Sequence, residues 1–235
     1  HNVPQGSPEW LALRSQPNTF TASEAPAMMG ASKYQTRAEL LHQKHTGLVP
    51  EIGPEQARRF LRGHEAEAAY RPHAEEMIGD DLYPCTGSIE IDGLRLLASF
   101  DGLTMDLTID FEHKLFNIGI ADFIDQYGEP GPAYYWQLEH QLLVSGAKRA
   151  LFATSDGTTG NCAQCWYDSK PERRMALIAG WKQFSEDLKV YQPAPAVPVV
   201  VAEPVQALPA VLVQVSGEIT VKDNFKAFEV ALRDF

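Results

Sequence analysis

Asp101, Glu112 and Lys114 are the residues of this 235-residue chain whose types and spacing suggest chemistry. They sit in the stretch Ser99 to Lys114, Ser-Phe-Asp-Gly-Leu-Thr-Met-Asp-Leu-Thr-Ile-Asp-Phe-Glu-His-Lys. Leu107, Ile109 and Phe111 alternate with Thr108, Asp110 and Glu112, the period-2 pattern of a half-buried strand. Residues two apart share a strand face, so Glu112 and Lys114 point the same way with Asp110 beside them. Asp101-Gly102 suits a tight bend between two strands. Two carboxylates converging from neighbouring strands can hold Mg²⁺, which takes oxygen ligands and keeps several waters. A lysine beside the ion can orient or deprotonate one of those waters, and the metal can polarise a phosphate oxygen. That is the minimal machinery for hydrolysing a phosphodiester. A surface hairpin with alternating solvated charges has the same pattern without the chemistry.

The elements that must position these residues are readable on either side. Ser7-Pro8 is an N-cap and N1 pair for a short helix from Trp10 to Arg14. Thr21-Ala22-Ser23-Glu24 opens a second helix that stops near Gly30, and hydroxyls at a helix start form a natural anion site. Ser23 and Arg14 can together bind a phosphate there, against a plain cap and a surface ion pair. Thr36 to Glu39 has capping-box spacing for a helix ending at Gly47. A longer helix is predicted from about Glu55 to Ile78 with Gly79 as C-cap, and Pro72 should kink or split it. Glu65 and Glu67 are two apart on it, so at most one points inward.

A hairpin follows, about Thr86 to Ile91 and Leu94 to Ser99, turning at Asp92-Gly93. After the strand with Glu112, the segment from Asn117 to Tyr127 is ambiguous. Pro132 opens a helix to about Ser145, on which Gln137 and Gln141 share a face with Tyr134 and Val144. Lys148 to Ala153 and Ala163 to Tyr167 read as strands. Pro171 starts a last helix to about Tyr191, with Ile178, Trp181, Phe184 and Leu188 at apolar spacing. The order is that of an α+β or α/β fold with helices over a mixed sheet.

Composition bounds the reading. The chain is 44% hydrophobic and 22% charged, ordinary for one globular domain plus an appendage. Pro193 to Pro209 is Pro, Ala and Val with almost no charge, an extended linker by composition. The expected organisation is a domain over residues 1–191, a linker over 192–210 and a C-terminal segment over 211–235. Within that segment Val211 to Val221 is expected as a strand, and Asp223 to Phe235 as the start of a helix. The chain opens on His1-Asn2 and stops inside the last pattern, so further protein is expected before it and beyond Phe235. No apolar run is long enough for a membrane span and no secretory leader is apparent. Three cysteines argue against a disulfide framework and for a reducing cytosol. Cys162 and Cys165 read as packed strand residues. A net charge of −11 is awkward for a nucleic-acid enzyme, whose affinity rests on neutralising phosphates. The basic residues cluster at Arg58, Arg59 and Arg62, at Lys148 and Arg149, and at Arg173 and Arg174, so any DNA contact must be focused.

Six pieces in order resemble a known family: Trp10-Leu-Ala-Leu-Arg14, Thr21-Ala-Ser-Glu24, Arg62-Gly-His-Glu-Ala-Glu67, Ala98-Ser-Phe-Asp-Gly102, Glu112-His-Lys114 and Gln137-Leu-Glu-His-Gln141. Together, over about residues 7–190, they resemble the YqaJ-like viral recombinases, the lambda exonuclease group of the PD-(D/E)xK nucleases. The resemblance implies a restriction-endonuclease-like core. It implies Asp101, Glu112 and the His113 carbonyl as metal ligands, with Glu67 completing the site and Glu65 as the alternative. Lys114 would activate the water and Gln137 would be the active-site glutamine. Arg14, Ser23 and Ser99 would receive the 5′ phosphate. The implied activity is Mg²⁺-dependent digestion of linear duplex DNA from a 5′ end, with Mn²⁺ able to substitute. The implied partners are DNA ends and a phage single-strand annealing protein, in a homotrimer, in the cytoplasm of a bacterial host. An endonuclease on the same core and a decayed DNA-binding scaffold are the competing readings. His113 stands where the family has an apolar residue, and a buried imidazole there needs a partner.

Overall fold

The computed structural model of the protein describes residue 3, residues 7–48 and residues 53–193. These lie in the first of the chain's two units, His1–Pro193 and Ala194–Phe235. The linker expected over 192–210, apart from its first two residues, and the segment over 211–235 fall outside the described residues.

Helices cover both faces of one mixed sheet. The order is α1 (Pro8–Arg14), β1 (Thr19–Thr21), a 3₁₀ turn (Ala22–Glu24), α2 (Ala25–Met28), α3 (Arg37–Thr46), α4 (Pro54–Ile78), β2 (Tyr83–Ile91), β3 (Leu94–Leu103), β4 (Ile109–Leu115), α5 (Ile118–Tyr127), α6 (Pro132–Ser145), β5 (Arg149–Ser155), β6 (Cys162–Asp168) and α7 (Pro171–Val190). The local signals act as the sequence predicts at most ends. Ser7 accepts a hydrogen bond from the Trp10 amide at 3.1 Å, and the Thr36–Glu39 capping box is complete. Asp92 and Gly93 both adopt positive φ, the two-residue turn that matches strand twist.

Four expectations change. Asn117 caps α5, its Oδ1 accepting from the amides of Gly119 and Ile120, so the ambiguous segment is a helix. β1 precedes the Ser23 turn, and its three residues are too few for a periodic signal. α4 runs unbroken through Pro72, so of the expected kink or split the split does not occur. The carbonyl that Pro72 leaves without its helical donor belongs to Ala68, which is exposed and can be met by water. Asp101-Gly102 is not a bend: both residues lie inside β3, and the chain turns later, over Thr104 to Thr108, with Leu107 at positive φ.

The sheet is forked at β3. β2 pairs antiparallel along one edge of β3, from Ile91↔Leu94 to Tyr83↔Leu103. A strand has two edges, so β1 and β4 share the other. β1 pairs parallel with Arg95 to Leu97, whereas β4 pairs antiparallel only at Gly102↔Phe111 and Leu103↔Asp110. β4 then pairs parallel with β5 along its whole length, and β5 antiparallel with β6. The edge of β3 from Ala98 to Asp101 therefore has no strand partner.

Side-chain alternation assigns the two faces. Phe111 on β4 packs with Leu151, Ala153 and Tyr70 under α4. The opposite face carries α5 and α6, whose Leu138 and Leu142 are fully buried over Phe152 and Ala150. Alongside, α7 places Trp181 and Phe184 against Phe20 of β1, the Phe20 and Trp181 rings stacked at 4.9 Å. Each such aromatic contributes roughly 2–3 kcal/mol of burial, which fixes α7 and hence the frame that α6 leans on.

Candidate active site

Asp101 owes its direction to a β-bulge. Cys85 pairs with Phe100 and Tyr83 with Leu103, so one residue of β2 faces two of β3 between those pairs. Before the bulge the even residues Leu96, Ala98 and Phe100 pack in the core; after it Leu103 does. The extra residue turns Asp101 onto the face that Asp110 and Glu112 present from β4. Two neighbours make the bulge fit. Pro84 lies opposite it on β2, where no amide is available for a ladder bond. A Cβ on Gly102 would meet Leu82 Cβ at 2.8 Å, so only glycine allows that approach.

The unpaired edge of β3 is filled by side chains. The His113 amide donates to Asp101 Oδ2 at 2.9 Å, replacing a β3–β4 ladder bond. Gln141 Nε2 donates to the Ser99 carbonyl at 3.2 Å, and Arg71 Nε to the Asp101 carbonyl at 3.2 Å. The gap in the sheet thus holds the two functional strand ends at a fixed spacing while leaving their side chains facing each other.

Glu112 is 3% exposed and held from three sides. Gln137 Nε2 donates to its Oε1 at 2.7 Å, Gln141 Nε2 to its Oε2 at 2.6 Å, and Lys114 pairs with its Oε1. Asp101 lies in its field and in that of Glu67. Burial first, then Glu112 and Glu67, hold the Asp101 carboxyl well above the ordinary carboxylate range, against the pull of Lys114 and the His113 amide. Burial alone would push the Lys114 ammonium down; Glu112 and Asp101 more than reverse it, so the lysine keeps its proton above the usual range. Asp110, wholly buried beside them, has both carboxyl oxygens without a hydrogen-bond partner. Burial first, then Glu112, raise its carboxyl well above the ordinary carboxylate range.

Of the two glutamates on α4, Glu67 turns to the site and Glu65 is exposed. Glu67 pairs with Arg71, one turn on, which is the residue that also holds the Asp101 carbonyl. His113 faces away, under α4, and finds the partner that the sequence demands: its Nε2 lies 2.8 Å from Ser155 Oγ. Burial, Lys114 and Arg71 bring its pKa down to about 4, so its ring is neutral.

The three residues expected to receive a phosphate are joined through Trp10. The Trp10 indole donates to Ser99 Oγ at 2.8 Å, and the Arg14 guanidinium lies 4.4 Å over its ring. Arg14 Nη2 donates to Ser23 Oγ at 3.4 Å, and Ser23 Oγ is 3.2 Å from Thr21 Oγ1. Hydroxyls and one guanidinium thus meet around the Trp10 indole. Gln141, Arg71 and Trp10 are the contributors that the sequence reading did not assign. Gln141 had a signal, its i, i+4 relation to Gln137, and Trp10 opens one of the six matching pieces without a role of its own; Arg71 acts across the fold and had none.

The basic clusters divide clearly. Arg149 pairs with Asp168 and stacks on Trp166, Arg173 pairs with Glu129, and Arg174 lies 3.6 Å from Glu139. Arg58, Arg59 and Arg62 are exposed on α4, the helix of Glu67, and form no ion pair among the described residues.

Among the described residues no helix is long and apolar enough to cross a membrane. No curated protein sequence matches the chain. Among solved structures it is similar to an alkaline exonuclease, LHK-Exo, from Laribacter hongkongensis, at 25% identity and TM-score 0.61, over 78% of this chain and 93% of that one. The same enzyme in complex with dAMP superposes with TM-score 0.62 over the same shares. A phage related exonuclease from Haemophilus somnus 129PT, 11% identical over 73% of this chain and 95% of that one, shares the fold at TM-score 0.54. Residues 9–148 match the YqaJ-like viral recombinase domain, a span that runs from Trp10 and Arg14 through Asp101, Glu112 and Lys114 to both glutamines, and by this match the chain belongs to that family.

Proposed function

We propose that the protein is an Mg²⁺-dependent exonuclease that digests linear duplex DNA from a 5′ end and so exposes single strand for recombination. The observation that carries the reading is the meeting of Asp101, Glu112 and Lys114 at the fork of the sheet, with a hydroxyl and guanidinium cluster joined to Ser99 through Trp10. Nuclease chemistry on DNA also fits the alkaline exonucleases to which the fold is similar. A mononucleotide such as the dAMP bound by LHK-Exo is the product class that such an enzyme releases.

The donor set fits a hard divalent cation. Asp101, Glu112, Glu67 and the His113 carbonyl offer oxygen only, and burial first, then Glu112 and Glu67, raise the proton affinity of Asp101 against the pull of Lys114. Among the described residues no group of three or more Asp, Glu, His or Cys side chains is placed to hold a metal ion. Mg²⁺ does not need such a group, since it is commonly held by one or two carboxylates together with substrate phosphate. Bound there, it would polarise a phosphate oxygen and stabilise the leaving group.

The chain's own residues do the rest. Arg14, Ser23 and Ser99 hold the terminal phosphate and set the first phosphodiester over Glu112. Gln137 and Gln141 fix both oxygens of Glu112, so the carboxylate cannot rotate as the substrate arrives. Lys114, protonated beside Glu112, orients the attacking water and offsets charge on the phosphate. Residues 1–191 form the nuclease domain, with residues 192–210 tethering the segment over 211–235. A homotrimer handing the exposed strand to a phage annealing protein, in the bacterial cytoplasm, completes the proposal.

The test is digestion of linear duplex with labelled 5′ or 3′ ends beside a closed circle, with Mg²⁺, Mn²⁺ or EDTA. The reading expects metal-dependent loss of the linear DNA alone, with the 5′ label released first as mononucleotide. A nicked or cut circle would move the assignment to an endonuclease. A folded protein that binds DNA and hydrolyses neither would leave the scaffold.

A further inference from the structure

β4 presents its two sides to different helices. Glu112 meets the glutamines of α6, and His113, one residue on, lies against Tyr70 of α4 with ring centroids 5.7 Å apart. His113 pairs across the sheet with Ala153, so Ser155, two residues further along β5, is on the same side. His113 Nε2 and Ser155 Oγ are 2.8 Å apart, and both residues are buried. Ser155 Oγ also accepts from the Gly157 amide at 3.1 Å, so the ring is tied to the turn that joins β5 to β6.

That turn is a seat for α4. Gly157 has φ +97°, and a Cβ there would meet Ala69 Cβ at 3.1 Å and Ala66 Cα at 3.3 Å. The turn thus touches the helix on the stripe of Ala66, Ala69 and Tyr70. Glu67 and Arg71 form the adjacent stripe and pair with each other, and Arg71 Nε returns to β3 by donating to the Asp101 carbonyl at 3.2 Å. Asp101 Oδ2 in turn accepts from the His113 amide at 2.9 Å. The contacts close a circuit: Asp101, His113, Ser155, Gly157, the turn of α4 from Ala66 to Arg71, and Asp101 again. Three of the oxygen donors offered to a cation, on Asp101, on Glu67 and on the His113 carbonyl, belong to that circuit, whereas Glu112 is held by α6.

Direction is what the polar link adds. An apolar side chain at position 113 would also be buried against Tyr70, but burial is non-directional and does not fix the turn against α4. A hydrogen bond to a buried hydroxyl fixes both distance and angle. We propose that His113 and Ser155 are positioning residues for the cation site. Through the Gly157 turn they set the height of α4 over the sheet, and with it the spacing of Glu67 from Asp101 and from the His113 carbonyl. The inference rests on the exonuclease reading and gives the His113 ring a part separate from that of its carbonyl.

The test compares the unmodified protein with His113→Leu, Ser155→Ala, the double variant and His113→Gln, whose amide can reach where Nε2 does. Mn²⁺ affinity of the folded protein should weaken about tenfold in His113→Leu and in Ser155→Ala, weaken no further in the double variant, and return towards the unmodified value in His113→Gln. Without metal, exchange of the amides from Ala66 to Arg71, read by NMR, should quicken about tenfold in the two single variants and stay unchanged in α7. Equal Mn²⁺ affinity in all the variants, whatever their stability, would overturn the proposal and leave His113 a packing residue. Losses that add in the double variant would overturn it too. No Mn²⁺ binding by the unmodified protein would sink the cation site of the exonuclease reading instead. The metal-free exchange then decides the linkage alone, and unchanged exchange in the single variants overturns it in either case.

Discussion

Two buried carboxylates on opposite sides of α6 are both met by donors, but Glu112 also has a second carboxylate, Asp101, beside it. Glu139 is wholly buried, and three donors surround it, Tyr167 Oη at 2.8 Å, Ser169 Oγ at 3.0 Å and the Lys170 amide at 2.6 Å, with the Arg174 guanidinium as an ion-pair neighbour at 3.6 Å. Two residues away, Gln137 faces Glu112, which shares its site with Asp101 and lies in the field that raises that group. The Glu139 carboxylate ties α6 to the start of α7 and is a fastening. The Asp101–Glu112 pair sets like charges against each other, which costs stability and leaves a demand for a cation. Burial of charge does not itself mark a catalytic group; burial against another carboxylate does.

The comparison can be broken most forcefully at its functional end. Lys114→Ala should lower turnover on linear duplex by about 10³-fold with the fold intact, as measured by steady-state rates and circular dichroism. Asp101→Asn should abolish activity yet raise stability by about 1 kcal/mol in urea, because it removes the crowded charge and keeps an acceptor for the His113 amide. At the fastening the signs reverse. Glu139→Ala should cost about 3–5 kcal/mol, since Arg174 and the Tyr167 hydroxyl lose their partner, while the folded fraction keeps its turnover. If Asp101→Asn destabilises and Glu139→Ala does not, the distinction fails.

A smaller effect sharpens the role of the glutamines. Gln141→Ala and Gln137→Ala should each lower kcat by about 10- to 100-fold with little change in KM, because they hold Glu112. The same helix also carries a pH signature. His140, buried against the Trp181 indole at 3.1 Å, is brought down to about 3 by burial. Its unfolded value is about 6.5, so between those values the unfolded chain binds the extra proton. Stability therefore rises with pH from about 3 to 6.5 and is lost as pH falls through that window. His140→Phe should reduce the slope there by about 1 kcal/mol per pH unit in urea titrations.

The legible parts of the molecule were those written in local chemistry. Alternation placed Glu112 and Lys114 on one face, Ser7, Thr36 and Gly47 marked helix ends, and Pro132 and Pro171 opened α6 and α7. The spacing of Gln137 and Gln141 gave one shared helix face. What stayed hidden depends on distant partners. The bulge at Asp101 exists because Leu82 leaves no room for a Cβ at Gly102 and Pro84 offers no amide opposite, so Asp-Gly read locally as a bend. Trp10 joins Ser99 across 89 residues of chain, and Arg71 reaches β3 from α4. Pro72 is tolerated because of the exposure of Ala68, which only the packed helix reveals.

The central claim is that Asp101 and Glu112 together create a cation site at the fork of the sheet. Titration of Mn²⁺ into the protein, followed by electron paramagnetic resonance of the free ion, tests it most directly. The account predicts saturable Mn²⁺ binding by the unmodified protein, competed by Mg²⁺ and lost in Asp101→Asn, while Glu139→Gln binds as before. Equal binding by Asp101→Asn, or none by the unmodified protein with or without a DNA end, would contradict it.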